Sequence, residues 1–102
     1  MIIVLIPIHN RIDFTRSCLT SLKNQKFKDF QIIIVDDGST DGSSEMLRDE
    51  FPEVKVINGD GNWWWTKSIN VGIRDSIDLN PDYYLLLNNY LVVNVISEIR
   101  SR

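Results

Sequence analysis

The chain has little of what would set it apart from ordinary globular proteins. It carries one cysteine, Cys18, so no disulfide can form within it and a disulfide-scaffold class is excluded. A reducing compartment is allowed, and a cytoplasmic location is the expectation. Basic residues are the minority, 11 Lys and Arg against 14 Asp and Glu, for a net charge of −3. That balance argues against a dedicated nucleic-acid binder, which needs a basic face to neutralise phosphates. The apolar run Ile2-Ile3-Val4-Leu5-Ile6 is too short to span a bilayer. It follows no basic region and precedes no small-residue cleavage site, so it reads as part of the fold rather than a leader. With 5 glycines, 3 prolines and 43% hydrophobic residues, collagen-like repeats and disorder are excluded as well. What remains is a single domain over residues 1–102, able to bury about two-thirds of its unfolded surface.

Three runs read as strands buried on both faces: Ile2 to Ile8, Phe30 to Val35 and Tyr83 to Leu87. Each is continuously apolar rather than alternating, which is the habit of parallel sheets covered by helices on both sides. A shorter run, Val54 to Ile57, suits an edge strand because Lys55 tolerates solvent. Between the runs lie helical periods. Phe14, Cys18 and Leu22 recur with Leu19 beside them. Met46, Leu47 and Phe51 mark a second helix that Pro52 ends. Ile69, Ile73 and Ile77 mark a third, with Gly72 on the stripe where a bare Cα permits close approach to the sheet. Asn94 to Arg102 is compatible with a last helix. Strands alternating with helices predict a parallel α/β sheet with right-handed crossovers and spatial order third, second, first, fourth. Ligands of such sheets bind beyond the carboxyl ends of the strands, where the winding reverses.

The residues at those ends carry the chemistry. Pro7-Ile8-His9-Asn10 follows the first strand, where proline is expected to stop the pairing and His9 offers a ring to a planar ligand. Asp36-Asp37-Gly38-Ser39-Thr40-Asp41-Gly42 follows the second. Adjacent carboxylates in a sheltered place raise each other's pKa, so one of them is expected to receive a ligand donor such as a base N–H or a ribose hydroxyl. Ser39, Thr40 or Asp41 can cap the next helix. Asn58-Gly59-Asp60-Gly61-Asn62-Trp63-Trp64-Trp65 follows the third. Adjacent tryptophans cannot all face the core; Trp65, in register with Ile69, is the expected core member, and another should line a cleft or interface. Asn88-Asn89-Tyr90 follows the fourth, offering amides that suit a sugar or phosphate better than a hard cation.

In this order the segments Pro7-Ile8-His9-Asn10, Val35-Asp36-Asp37-Gly38-Ser39-Thr40-Asp41-Gly42, Asn62-Trp63-Trp64 with Asn70-Val71-Gly72, and Leu85-Leu86-Leu87-Asn88-Asn89 resemble the N-terminal half of family 2 glycosyltransferases, rhamnosyltransferase-like members above all. The resemblance covers essentially the whole chain. It implies the Rossmann-like GT-A fold, here a truncated donor-binding half-domain, and a UDP- or dTDP-sugar donor, as in polysaccharide biosynthesis. By that resemblance Asp37 would accept the ring N–H of uracil or thymine, Asp36 would support the loop, and Pro7 would line the base pocket. His9 replaces a frequent tyrosine beside the base, with Asn10 next to it. Asn62 and Trp63 would lie near the ribose and diphosphate, and Asn88 and Asn89 near the diphosphate and sugar.

The chain departs from the family pattern at three points. The family's acidic motif ends in an aspartate that holds a divalent cation, Mg²⁺ or Mn²⁺; here that position is Tyr90, so the cation loses its main anchor and the leaving diphosphate most of its charge stabilisation. Lys67 stands where the related pattern has glycine, and its ammonium can replace part of the metal's charge if it points inward. The resemblance places the general base in the following half, so the acceptor half is expected to be missing from these residues and none of them is assigned that role. Two readings follow: the donor-binding portion of a glycosyltransferase, or a non-catalytic interaction or oligomerisation module of the same fold that pairs through a sheet edge left open after the fourth strand. Dinucleotide binding is disfavoured because no Gly-x-Gly-x-x-Gly follows the first strand. An aspartyl-phosphatase would carry its acids after the first strand, separated by one residue.

Overall fold

The computed structural model describes residues 1–87 in full and the backbone of residues 93–97. The elements run β1 (Ile2–Ile8), α1 (Ile12–Lys23), β2 (Phe30–Asp37), α2 (Ser43–Glu50), β3 (Lys55–Gly59), α3 (Trp64–Ser76), a 3-10 turn (Ile77–Leu79), β4 (Tyr83–Leu87) and β5 (Val93–Ser97). They form a five-stranded sheet of order β3-β2-β1-β4-β5. The first four strands are parallel, in the expected order. β5 runs antiparallel to β4, with Tyr83 opposite Ser97 and Leu87 opposite Val93. The helix expected from Asn94 is therefore replaced by a strand as far as Ser97, and the edge expected to stay open at β4 is taken. Asn88, Asn89 and Tyr90 lie outside the described residues.

Alternation along β1 builds both cores. Val4, Ile6 and Ile8 face α1 and α2, where they pack with Leu19, Ile34 and Leu47. Ile3 and Leu5 face α3, packing with Ile33, Val35, Ile69, Tyr84 and Leu86. Both faces of the central strand are thus dry, which accounts for its unbroken apolarity. Pro7 does not end the ladder: the register continues through Pro7 opposite Val35 and Ile8 opposite Asp36. β2 also runs further than expected, so that Asp36 and Asp37 are its last two residues, opposite Asn58 and Gly59.

The α3 stripe holds through Ile69 and Ile73, and the α1 stripe departs from its sequence reading at Phe14. In α1 the buried residues are Thr15 and Leu19, while Phe14 is 37% exposed. Cys18 and Leu22 pack against the core beside Leu19, and together with Phe14 they also line a groove of about 530 Å³ between α1 and β4, with Ile2, Leu85 and Leu87 across it. Burial in that apolar lining pushes the Cys18 thiol up. In α3 the helix ends at Ser76 and Ile77 falls in the 3-10 turn. The Ser76 and Tyr84 hydroxyls meet at 2.7 Å inside the core, so the fully buried phenol is satisfied.

Gly72 lies on the inner face of α3, where a Cβ would collide with the Leu5 side chain and stand 3.2 Å from its Cγ. Alanine there gains up to about 1 kcal/mol of helix propensity but overpacks a closed core, at about 1–3 kcal/mol. Gly72→Ala should therefore lower Tm by several degrees in a circular-dichroism melt; a rise would show that the helix and sheet can move apart freely.

Candidate functional site at the strand carboxyl ends

The loops after β1, β2 and β3 meet above the sheet, next to the place where its winding reverses between β1 and β4. Asp37 joins two of them. Its Oδ1 accepts the Gly61 N–H at 2.7 Å, and its Oδ2 accepts the N–H groups of Trp63 at 3.0 Å and Trp64 at 2.9 Å. The carboxylate thereby sits at the N-terminus of α3, where the helix dipole favours a negative charge. Burial alone pushes the Asp37 carboxyl up. The amides of Trp64, Gly61 and Trp63, with His9 nearby, outweigh burial and hold it below the usual carboxylate range. The mutual elevation expected of adjacent carboxylates is not what governs Asp37. Successive strand residues point to opposite faces, so Asp36 faces α2 while Asp37 faces α3.

Asp36 is 1% exposed and accepts the Ser39 N–H at 3.1 Å and the Ser44 hydroxyl. It secures the loop that carries Gly38. That glycine has φ +72, and a Cβ on it would stand 2.7 Å from the Gly61 Cα, so the second and third loops touch backbone to backbone.

The first loop is tied to the second. Asn10 donates its N–H to Ser39 Oγ at 2.7 Å, and its Oδ1 accepts the Thr40 N–H at 2.8 Å. His9 Nδ1 lies 2.6 Å from the Asp37 carbonyl oxygen. A carbonyl can only accept, so Nδ1 carries the proton and a neutral ring turns an acceptor Nε2 outward. Asp41 caps two helices at once. Its Oδ2 accepts the Ile12 N–H that opens α1 at 3.0 Å; its Oδ1 accepts the Ser43 N–H that opens α2 at 3.1 Å and the Ser43 hydroxyl at 2.6 Å. Burial raises the Asp41 carboxyl, but these donors, the Ser43 hydroxyl foremost, hold it below its ordinary value.

The tryptophans divide differently from the expectation. Trp63 packs against the α3-side core and lies over Gly59, where an added Cβ would come within 2.8 Å of its ring. Trp65, expected in the core, is 39% exposed, and Trp64 is 77% exposed. Asp37 draws the amides of residues 63 and 64 down onto β2, which sets the indole of 63 inward and leaves the first turn of α3 beyond the sheet. Lys67 is exposed, with Nζ 5.1 Å from the Trp63 ring centroid, and Asn62 is exposed. Pro7 is buried within β1. The structure thus brings Asp36, Asp37, His9, Asn10, Trp63 and Asn62 to one end of the sheet. Gly61 and Trp64 join them through backbone N–H groups, which no side-chain motif announces; the glycine-rich turn is the available sign.

Among the described residues no group of three His, Cys, Asp or Glu side chains is placed to hold a metal ion. The acids of the second and third loops, Asp36, Asp37, Asp41 and Asp60, all accept hydrogen bonds from the chain's own donors. The described donor set therefore does not fit a divalent cation.

A carboxyl held below its ordinary value stabilises the fold above its unfolded pKa, and that contribution is lost as pH falls through the folded value. Asp37→Asn should cost about 1–3 kcal/mol near neutrality. The gap between parent and variant in urea unfolding should narrow below about pH 4; a gap constant with pH would show that the charge on Asp37 contributes nothing.

The family model for Glycosyl transferase family 2 matches residues 3–78. Among similar proteins, glycosyltransferase GlyA of Streptococcus pneumoniae is 42% identical over 53 residues, 52% of this chain and 8% of that protein. The teichoic acid poly(glycerol phosphate) polymerase of Staphylococcus epidermidis is 28% identical over 89 residues, 83% of this chain and 12% of its own length. Solved structures share the fold. Mannosyltransferase PcManGT from Pyrobaculum calidifontis, in complex with GDP-Man and Mn²⁺, superposes with a TM-score of 0.74 at 16% identity, over 86% of this chain and 27% of that one. S. aureus TarS in complex with UDP-GlcNAc gives 0.71 at 26% identity, over 86% and 26%. The chain thus spans a small part of the proteins it matches. With the family match extending over most of its length, the chain belongs to glycosyl transferase family 2.

Proposed function

We propose that this chain is the donor-binding portion of a family 2 glycosyltransferase and that it takes a UDP- or dTDP-sugar. The observation that carries the reading is the acceptor arithmetic at Asp37. A carboxylate offers about four lone-pair positions. Three are met by the Gly61, Trp63 and Trp64 amides, which leaves one, on Oδ1. That position suits the ring N–H of uracil or thymine, at the end of the sheet where ligands of this architecture bind. His9 and Asn10 border the base from the first loop, and Pro7 lies below them. Asp36 keeps the second loop in shape. Asn62 and Trp63 are assigned to the ribose and diphosphate and Lys67 to the diphosphate and sugar, a role that the family resemblance also gives to Asn88 and Asn89, which lie outside the described residues.

In the transfer itself an acceptor oxygen attacks the anomeric carbon, the bond to the diphosphate breaks, and the acceptor's proton passes to a base. Among the described residues none is assigned the base role. The chain's own part is to bind and orient the donor. The named neighbours with GDP-Man, Mn²⁺ and UDP-GlcNAc support a nucleotide-sugar ligand. With Tyr90 in the place of the family's metal-binding aspartate and the described acids already committed, donor binding should depend little on the cation.

Calorimetry with UDP and dTDP tests the reading. Binding is expected for the parent chain, and Asp37→Ala should abolish it; unchanged binding by that variant would remove the base-pocket assignment. Added Mn²⁺ should change the parent's affinity by less than about three-fold, well under 1.4 kcal/mol. Tyr90→Asp should introduce a metal-dependent gain. A large gain in the parent chain would refute the role given to Tyr90.

A further inference from the structure

We propose that Trp64 is the stacking platform for the donor's nucleobase. The assignment rests on the donor-binding reading and adds to it a role for a side chain that the packing of the fold does not require.

Trp64 has φ +56, in the left-handed region that glycine enters freely and a bulky side chain resists. The cause of that backbone conformation is visible: the Trp64 N–H reaches back to Asp37 Oδ2 at 2.9 Å. Glycine would make the same bond without strain, so the backbone does not explain the indole. Packing does not explain it either. The ring is 77% exposed, and Trp63 already fills the space over Gly59. A strained backbone carrying a large, solvent-facing aromatic marks a place where the side chain serves something outside the fold.

Its position says what. The Trp64 amide is bonded to the carboxylate to which the donor-binding reading assigns a ring N–H, so a flat ligand held there would lie within a side-chain length of the indole. His9 is anchored to the Asp37 carbonyl from the first loop, and Trp64 to the Asp37 carboxylate from the third. Two rings from separate loops thus flank one hydrogen-bonding group. A nucleobase presents a π-face for such a pair, and stacking on an aromatic side chain tolerates any base. A diphosphate has no such face, and Lys67 lies over Trp63 rather than Trp64.

The strain makes the test clean, because folding and binding should move in opposite directions. Calorimetry with UDP and with UDP-GlcNAc, alongside thermal melts, is run on the parent chain, Trp64→Gly and Trp64→Phe. The glycine variant should melt no lower than the parent, yet bind both ligands at least about five-fold more weakly, the lower end of the effect of losing one base–aromatic stack. Phenylalanine should retain most of the affinity. Equal UDP affinity in parent and glycine variant would overturn the assignment while leaving donor binding intact. A loss seen with UDP-GlcNAc and not with UDP would move the platform to the sugar and overturn it too. A fall in Tm of several degrees in the glycine variant would make Trp64 a folding residue instead. No UDP binding by the parent would strike the donor-binding reading itself, and this assignment with it.

Discussion

One carboxylate organises the upper end of this sheet. Asp37 stands on the last residue of β2 and takes three backbone N–H groups from the segment that joins β3 to α3. Each such charge-assisted bond is stronger than a neutral one, and together they offset the burial that would otherwise protonate the group. Everything above the sheet follows from that anchor. It sets the start of α3, turns the Trp63 indole inward over Gly59, leaves Trp64 outside, and holds His9 through the adjacent carbonyl. The glycines around it are demanded by closeness: Gly38 meets Gly61 backbone to backbone, and Gly59 meets Trp63.

The pair Asp36-Asp37 shows how a strand separates like charges that sequence places side by side. The two carboxylates leave β2 on opposite faces and are solvated by different elements, hydroxyl and amide groups near α2 for one, amides before α3 for the other. Asp41 repeats the pattern at the helix starts, where one carboxylate serves the openings of α1 and α2 together. Three acids within six positions thereby fasten three loops to one another, and the protein's own N–H groups do what counter-ions would do elsewhere.

Most of the frame was legible in the residues. Continuous apolarity in Ile2 to Ile8 and Phe30 to Val35 marks strands covered on both sides, and the strand order follows from alternation with helices. The bare Cα of Gly72 against Leu5 follows from its place on the α3 stripe. Other features had no signal to read. The partners of Asp37 are backbone amides, which carry no residue type. Trp65 fits the stripe of Ile69 by period, but period ignores where the sheet ends, and α3 begins beyond that edge. Phe14 fits the stripe of α1 in the same way, yet the side of α1 it occupies borders the groove above β4 rather than the core. β5 escaped because a five-residue strand inside a segment that also suits a helix has too few residues for either period to dominate.

The two ends of the proposed donor site are therefore built on different physics. At the base end the hydrogen-bonding groups are fixed by covalent neighbours and by one another, so a nucleoside meets a surface already arranged, and little ordering cost falls on binding. At the diphosphate end the sequence supplies amides and a lysine where family chemistry relies on a carboxylate and a cation. Neutral amides screen two phosphate charges weakly, so on the proposed reading the affinity for a donor would come chiefly from the base. A site weighted in that way discriminates between nucleotides more sharply than between the sugars they carry, because the sugar lies beyond the end that holds the ligand. On the proposed reading that ordering of preferences follows from a carboxylate fixed at the base end and the lack of one at the diphosphate end.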